Sequence, residues 1–172
     1  MAWMDYLRAI PDFPQPGVLF RDVLPVLAEA SALKEVLDGL EGLVKPLAPE
    51  AVFGPEARGF LLAAPLADRL SAGVVPVRKA GKLPDPVFQE RYTLEYGENQ
   101  LEVEDTSAFK GRRILIVDDV LATGGTVLAC AHLAHRLGAQ IVGFAFLIEL
   151  EALNGRSRLD AIDAPILTLT TL

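Results

Sequence analysis

The sequence predicts a single α/β domain built on a mainly parallel central sheet flanked by helices. From residue 51 onward, short apolar runs alternate with stretches of helical periodicity, the pattern of strands joined by crossover helices. Ile114–Leu115–Ile116–Val117 is a continuous apolar run inside Arg113 to Val117, as expected of a strand covered on both faces. A length of 172 residues with 51% apolar side chains suits one self-sufficient core.

Taken in order, Met1 to Ile10 is expected as a short helix closed by Pro11. Pro11, Pro14, Pro16 and Gly17 then forbid regular helix. Ser31 is the expected N-cap of a helix through about Val44, with Leu33, Val36, Leu37 and Leu40 on one face. Ala51 to Phe53 reads as a strand ending at Gly54–Pro55, followed by a helix from Gly59 to Leu70 and a strand from Val74 to Val77. Gly81 to Pro86 opens a long connection. Arg91 to Tyr96 and Gln100 to Glu104 then suggest a hairpin turning at Gly97–Glu98–Asn99. Thr126 to Leu137 is expected as a helix, and Ile141 to Ile148 and Pro165 to Leu169 as strands.

Charge narrows the function. Sixteen Lys and Arg against 23 Asp and Glu give −7, which argues against a general nucleic-acid binder but not against a small anionic ligand. Moderate charge with high apolar content excludes disordered, collagen-like and low-complexity classes. The lone Cys130 cannot form an internal disulfide, and neither a leader nor an 18-residue apolar window is apparent. The expectation is a cytoplasmic protein that does not engage a membrane.

The most informative stretch runs from Ile114 to Thr126, where a strand meets Asp118 and Asp119, then a short glycine-bearing turn, then a helix. Such a turn lies at the carboxyl end of a parallel strand, where open α/β sheets bind ligands. Free amides and the positive dipole end of the helix favour an anion there. Gly124 and Gly125 allow close main-chain approach, and Thr123 and Thr126 add hydroxyl donors. Two carboxylates would repel a phosphate. They suit the neighbouring hydroxyls of a ribose, or a divalent cation. The expected ligand is a sugar phosphate. Gly81–Lys82 is followed by Leu83, not the Ser or Thr of a nucleoside-triphosphate loop. Cys130, His132 and His135 supply three potential metal ligands without a fourth, on a helix needed for packing, and are set aside.

The Ile114–Thr126 string resembles the ribose-phosphate motif of type I phosphoribosyltransferases. Three further segments resemble the branch of that family that acts on adenine: Pro11 to Asp22, Gly54 to Phe60, and Val77 to Pro84 leading to Tyr92–Thr93–Leu94–Glu95–Tyr96–Gly97. They stand in the family order and cover nearly the whole chain. The resemblance implies the type I phosphoribosyltransferase fold over residues 1–172, with an N-terminal hood (1–30, plus a contribution near 149–155) and a flexible hairpin loop. It implies the conversion of adenine and phosphoribosyl pyrophosphate (PRPP) into AMP and pyrophosphate, with Mg2+ carried by PRPP.

The resemblance also implies roles. Asp118 and Asp119 hold the ribose, and Ala122, Thr123, Gly124, Gly125 and Thr126 hold the 5′-phosphate. Arg58, Arg78, Lys79, Lys82 and Tyr96 serve the pyrophosphate, where cations offset the charge of the leaving group. Glu95 is the catalytic acid–base group at the purine. Val18, Leu19, Phe20, Arg21 and Leu150 bind adenine, Phe20 by stacking. A non-proline cis peptide is expected between Glu56 and Ala57, and a homodimer is implied. Two alternatives stay open: transfer to xanthine, hypoxanthine or guanine, or a non-catalytic regulator that senses purine or PRPP. The negative charge disfavours the regulator, which needs a basic DNA-binding module.

Overall fold

The computed structural model describes residues 2–94 and 97–172; Glu95 and Tyr96 lie outside the described residues. The chain divides into two compact units, Met1–Gly39 and Leu40–Leu172.

In the first unit a 3-10 turn, Ala2–Tyr6, has its leading amides capped by one side chain. The N–H groups of Ala2 and Trp3 donate to Glu35 at 3.1 and 2.9 Å. The expected helix to Ile10 stops there, because Arg8–Ile10 (β1) pairs antiparallel with Phe20–Asp22 (β2). That pairing sets Arg8 Nη2 2.5 Å from Asp22 Oδ2, a long-range partner no local pattern announces. A short helix the sequence reading lacked, α1 (Leu24–Ala28), starts with a proline in its first turn, where no amide partner is lost. Helix α2 (Ala30–Val44) begins two residues earlier than an N-cap at Ser31 implies. Ser31 lies inside its first turn, with its hydroxyl 2.9 Å from the carboxylate of Glu29.

The second unit is organised around a seven-stranded sheet of order β5-β6-β4-β3-β7-β8-β9. The strands β3 (Ala51–Pro55), β4 (Gly73–Lys79), β7 (Arg113–Leu121), β8 (Gln140–Glu149) and β9 (Ile166–Thr171) run parallel. The strands β5 (Val87–Leu94) and β6 (Gly97–Glu104) form an antiparallel hairpin against the β4 edge. Helices α3 (Arg58–Arg69) and α4 (Gly125–Arg136) connect parallel strands. The core gathers Phe53, Ile114, Ile116, Phe144 and Phe146 from the sheet with Cys130 and Leu133 of α4. Phe53 also meets Phe109 edge-on, with ring centroids 5.8 Å apart. Among the described residues no helix is long and apolar enough to cross a membrane.

Two expectations need correction here. The hairpin does not turn at Gly97–Glu98–Asn99; those residues belong to β6, and Leu94 pairs with Gly97. The observed register pairs Phe88 with Val103 and Glu90 with Leu101, so Leu101 and Val103 reach the core face. A slip of one residue would turn both to solvent. The strand expected to end at Val117 continues to Leu121, because β8 runs beside it as far as the Leu121–Glu149 pair. Asp118 and Asp119 therefore sit in the strand rather than beyond it.

Packing predicts the mutational contrast. Phe53 is fully buried whereas Leu61 is 51% exposed. Urea denaturation should show Phe53→Ala losing about 3–5 kcal/mol, and Leu61→Ala changing stability by no more than about 0.5 kcal/mol.

Candidate functional site

Three parallel strands, β4, β3 and β7, end side by side, and each delivers charged groups to the same edge of the sheet. At the end of β7, Asp118 is partly open while Asp119 is buried at 2% exposure. Each carboxylate accepts the next amide: Asp119 N–H donates to Asp118 Oδ1 and Val120 N–H to Asp119 Oδ1, both at 2.9 Å. Desolvation pushes the Asp118 carboxyl well above the usual range, and the neighbouring charge of Asp119 adds to this. Asp119 is also raised by desolvation, with Arg58 pulling the other way.

Arg58 reaches that acid from the first turn of α3. Its Nε lies 2.5 Å from Asp119 Oδ2, yet without an N–H aligned on that oxygen as a hydrogen bond. Two glycines make the approach possible. A Cβ on Gly54 would fall 2.7 Å from Ala63 Cβ and 2.8 Å from Gly59 O. One on Gly59 would fall 2.5 Å from Pro55 Cδ and 3.2 Å from Val117 O. Helix α3 thus lies directly on β3 and β7, and the turn before it contains the expected cis peptide between Glu56 and Ala57.

Glu56 ties β3 to β4. Its Oε2 accepts from Lys79 N–H at 2.9 Å and from Arg78 Nε at 3.0 Å. These contacts, the amide foremost, hold the Glu56 carboxyl below its ordinary range. Arg78 is therefore half-committed to an acid, whereas Lys79 offers only its amide to it. Lys82 lies in the turn beyond β4, where its N–H donates to Glu102 Oε1 at 2.7 Å.

Between β7 and α4 the chain turns through Ala122, Thr123 and Gly124, the last with φ of 80°. This turn is pressed from behind by the segment after β8. A Cβ on Gly124 would lie 2.5 Å from Gly155 O, and one on Gly155 only 2.1 Å from Ala122 O. Leu150 joins the same edge, its N–H donating to Leu121 O at 2.9 Å. Glu149 grips Arg156 through two contacts of 2.9 and 2.5 Å, which braces this segment. From the hairpin side, Tyr92 meets the Thr126 side chain, and Thr93 O would lie 3.0 Å from a Cβ on Gly125.

The sequence-predicted residues thus separate into groups. Asp118, Asp119, Arg58 and the turn 122–126 lie at one sheet edge, with Arg78 and Lys79 joined to it through Glu56. Glu95 and Tyr96 lie outside the described residues. Val18 to Arg21 belong to the first unit. There Phe20 meets Phe13 edge-on at 5.2 Å, and Val18 exchanges main-chain bonds with Gln15 and Phe13. Sequence reasoning missed Glu56, Glu102 and Gly155. Glu56 was discoverable from its place beside the Gly-flanked Arg58; the other two act across long sequence separations and left no local signal.

Two adjacent acids, a glycine-bearing turn at a helix start and several cations gather at the carboxyl ends of β4, β3 and β7. Residues 26–171 match the phosphoribosyl transferase domain family. An adenine phosphoribosyltransferase of Gloeobacter violaceus is 52% identical over 159 residues, 92% of this chain and 93% of its own length. That of a Synechococcus strain is 50% identical, covering 96% and 95%. The crystal structure of the adenine phosphoribosyltransferase of Thermoanaerobacter pseudethanolicus superimposes with a TM-score of 0.94 at 43% identity, covering 99% and 98% of the two chains. The Saccharomyces cerevisiae enzyme, crystallised with adenine and an imino-altritol bisphosphate, gives 0.89 at 37% identity, covering 98% and 96%. The chain belongs to the phosphoribosyltransferase family, in its adenine phosphoribosyltransferase branch.

Two outcomes follow from this geometry. Ionised Asp118 is disfavoured in the fold, so its cost appears as pH rises from the ordinary carboxylate range towards the raised value. Asp118→Asn should therefore raise the Tm of the ligand-free protein at pH 7 by about 2–4 °C, on the order of 1 kcal/mol for a chain this size. The gain should shrink through the ordinary carboxylate range and vanish below about pH 3, where the acid is protonated in both states. Gly155→Ala must displace the main chain at Ala122, and calorimetry should show a loss of about 1–3 kcal/mol.

Proposed function

We propose that this site transfers the 5-phosphoribosyl group of PRPP to adenine, releasing AMP and pyrophosphate. The reading rests on the Asp118–Asp119 pair beside the amide-lined turn 122–126, in a chain of the adenine phosphoribosyltransferase branch. The turn amides, with the Thr123 and Thr126 hydroxyls, take the 5′-phosphate at the positive end of α4. Asp118, the more open acid, accepts from the ribose hydroxyls, and Asp119 steadies Arg58 as well as the sugar. Hydroxyl donors favour the ionised acids and offset the burial that raises both carboxyls.

Cleavage of the anomeric C–O bond leaves positive charge on the ribose ring and negative charge on pyrophosphate. Arg58, Arg78, Lys79, Lys82 and Tyr96 are assigned to the leaving group, which arrives as the Mg2+ complex of the substrate. Guanidinium forks match phosphate oxygens, whereas lysines act as movable point charges. Glu95 handles the purine proton as N9 attacks the sugar. Adenine is assigned to Phe20, the main chain of Val18, Leu19 and Arg21, and Leu150. Residues 1–172 work as one catalytic domain, with 1–30 as the base-recognising hood, in a cytoplasmic homodimer serving purine salvage.

The direct test supplies PRPP, Mg2+ and each purine base separately and measures nucleotide and pyrophosphate. AMP from adenine is expected; turnover of guanine without adenine would overturn the reading. Glu95→Gln should lower kcat by about 10²–10⁴-fold with little change in substrate binding. The double variant Asp118→Asn/Asp119→Asn should weaken PRPP binding by at least about tenfold, through loss of charged acceptors. Unchanged affinity in that variant would remove the ribose assignment.

A further inference from the structure

We propose that Glu102 is a positioning residue for the pyrophosphate end of the substrate, acting through the Lys82 turn. The inference rests on the function proposed above and adds a residue that makes no contact with substrate. Glu102 stands on β6, opposite Arg78 of β4 and Gln89 of β5, and is only 1% exposed. Its Oε1 accepts two consecutive amides of the turn after β4, Lys82 N–H at 2.7 Å and Leu83 N–H at 2.8 Å. Its Oε2 accepts from Gln89 Nε2 at 3.1 Å, and Gln89 is itself fixed by Gln100 at 2.7 Å.

Successive amides converging on one oxygen form a concavity for an anion. Here the chain's own carboxylate fills it. Burial alone would raise the Glu102 carboxyl, but the amides of Gly81, Leu83 and Lys82 and the Gln89 side chain outweigh burial and hold it below its ordinary range. The charge is thus kept, and it is satisfied by main-chain and amide donors. Among the described residues neither the Lys79 nor the Lys82 ammonium forms an ion pair.

That division gives the buried acid on β6 a part in placing the Lys82 turn. A buried charge is a poor route to stability. An acid that grips the amide of a lysine while sparing its ammonium fixes where that cation starts without neutralising it. Glu56 does the same for Lys79 from the other side, accepting its N–H at 2.9 Å. Two acids therefore hold the backbone of Lys79 at the end of β4 and of Lys82 in the turn beyond it; neither ammonium is in an ion pair among the described residues, and the Lys82 charge acts on Glu56 only at longer range.

The test compares Glu102→Gln with wild type in three measurements: KM for PRPP, KM for adenine, and calorimetric binding of magnesium pyrophosphate. Glu102→Gln should raise KM for PRPP and weaken pyrophosphate binding by about tenfold each, with KM for adenine unchanged within about twofold. Combined with Lys82→Ala, it should add little to the loss from Lys82→Ala alone, since both act through one cation. Equal rises in both KM values, unchanged pyrophosphate binding, or full additivity with Lys82→Ala would overturn the proposal. Should Glu102→Gln fail to fold, Gln89→Ala removes only the Oε2 partner and should shift pyrophosphate binding in the same direction by a smaller factor; no shift overturns the proposal. Wild-type protein that makes no AMP would defeat the functional reading instead, and pyrophosphate binding would still report on Glu102 separately.

Discussion

Asp118 and Asp119 stand side by side near the end of the central strand β7, the second buried against Arg58, and the neighbouring elements are fitted to that ion pair. Asp119 is buried at 2% exposure and meets Arg58 at 2.5 Å; Asp118, beside it, has its carboxyl pushed well above the usual range by desolvation and by its neighbour. Arg58 reaches Asp119 only because α3 lies directly on β3 and β7, and that approach depends on the missing side chains of Gly54 and Gly59. Burial and the neighbouring acid therefore disfavour the ionised form of Asp118, while Arg58 favours that of Asp119.

Acids recur around this edge as clamps on the main chain. Glu56 accepts the Lys79 amide, Glu102 accepts those of Lys82 and Leu83, and Glu149 holds Arg156 in the segment that backs the 122–124 turn. In a chain of net charge −7 that must take a polyanion, this placement matters. Glu56 and Glu102 fix the main chain beside Lys79 and Lys82 without pairing with either ammonium among the described residues, whereas Arg58, Arg78 and Arg156 each pair with an acid. The global charge says little about a pocket whose local groups are arranged in this way.

The hairpin is fastened to the same machinery. Arg136 of α4 donates to Gln89 O at 2.8 Å and lies 4.5 Å from the Phe88 ring, while His132 stands 2.8 Å from Glu90. Tyr92 meets Thr126 at the start of that helix. The hairpin strands β5 and β6 are thus packed on the helix whose first turn borders the 122–124 turn. The position of the hairpin and the position of that loop are consequently linked through α4.

Local chemistry made much of this legible. The apolar run before Asp118 pointed to a covered strand, the glycines after it to a turn with close main-chain approach, and residues 59–70 and 126–137 to helices whose ends fall within one residue of those observed. Those features depend on neighbours a few residues apart, so the sequence by itself determined the α/β class, the order of the later strands and the strand–turn–helix that carries the acids. The tertiary structure alone decided the pairing of Arg8–Ile10 with Phe20–Asp22, the hairpin register that places Leu101 and Val103 in the core, the contact of Arg58 with Asp119, and the seat of Gly155 against Ala122. Each of these joins segments distant in the chain. Their energy comes from burial and close approach after the sheet has assembled, which no periodicity within a single segment can encode.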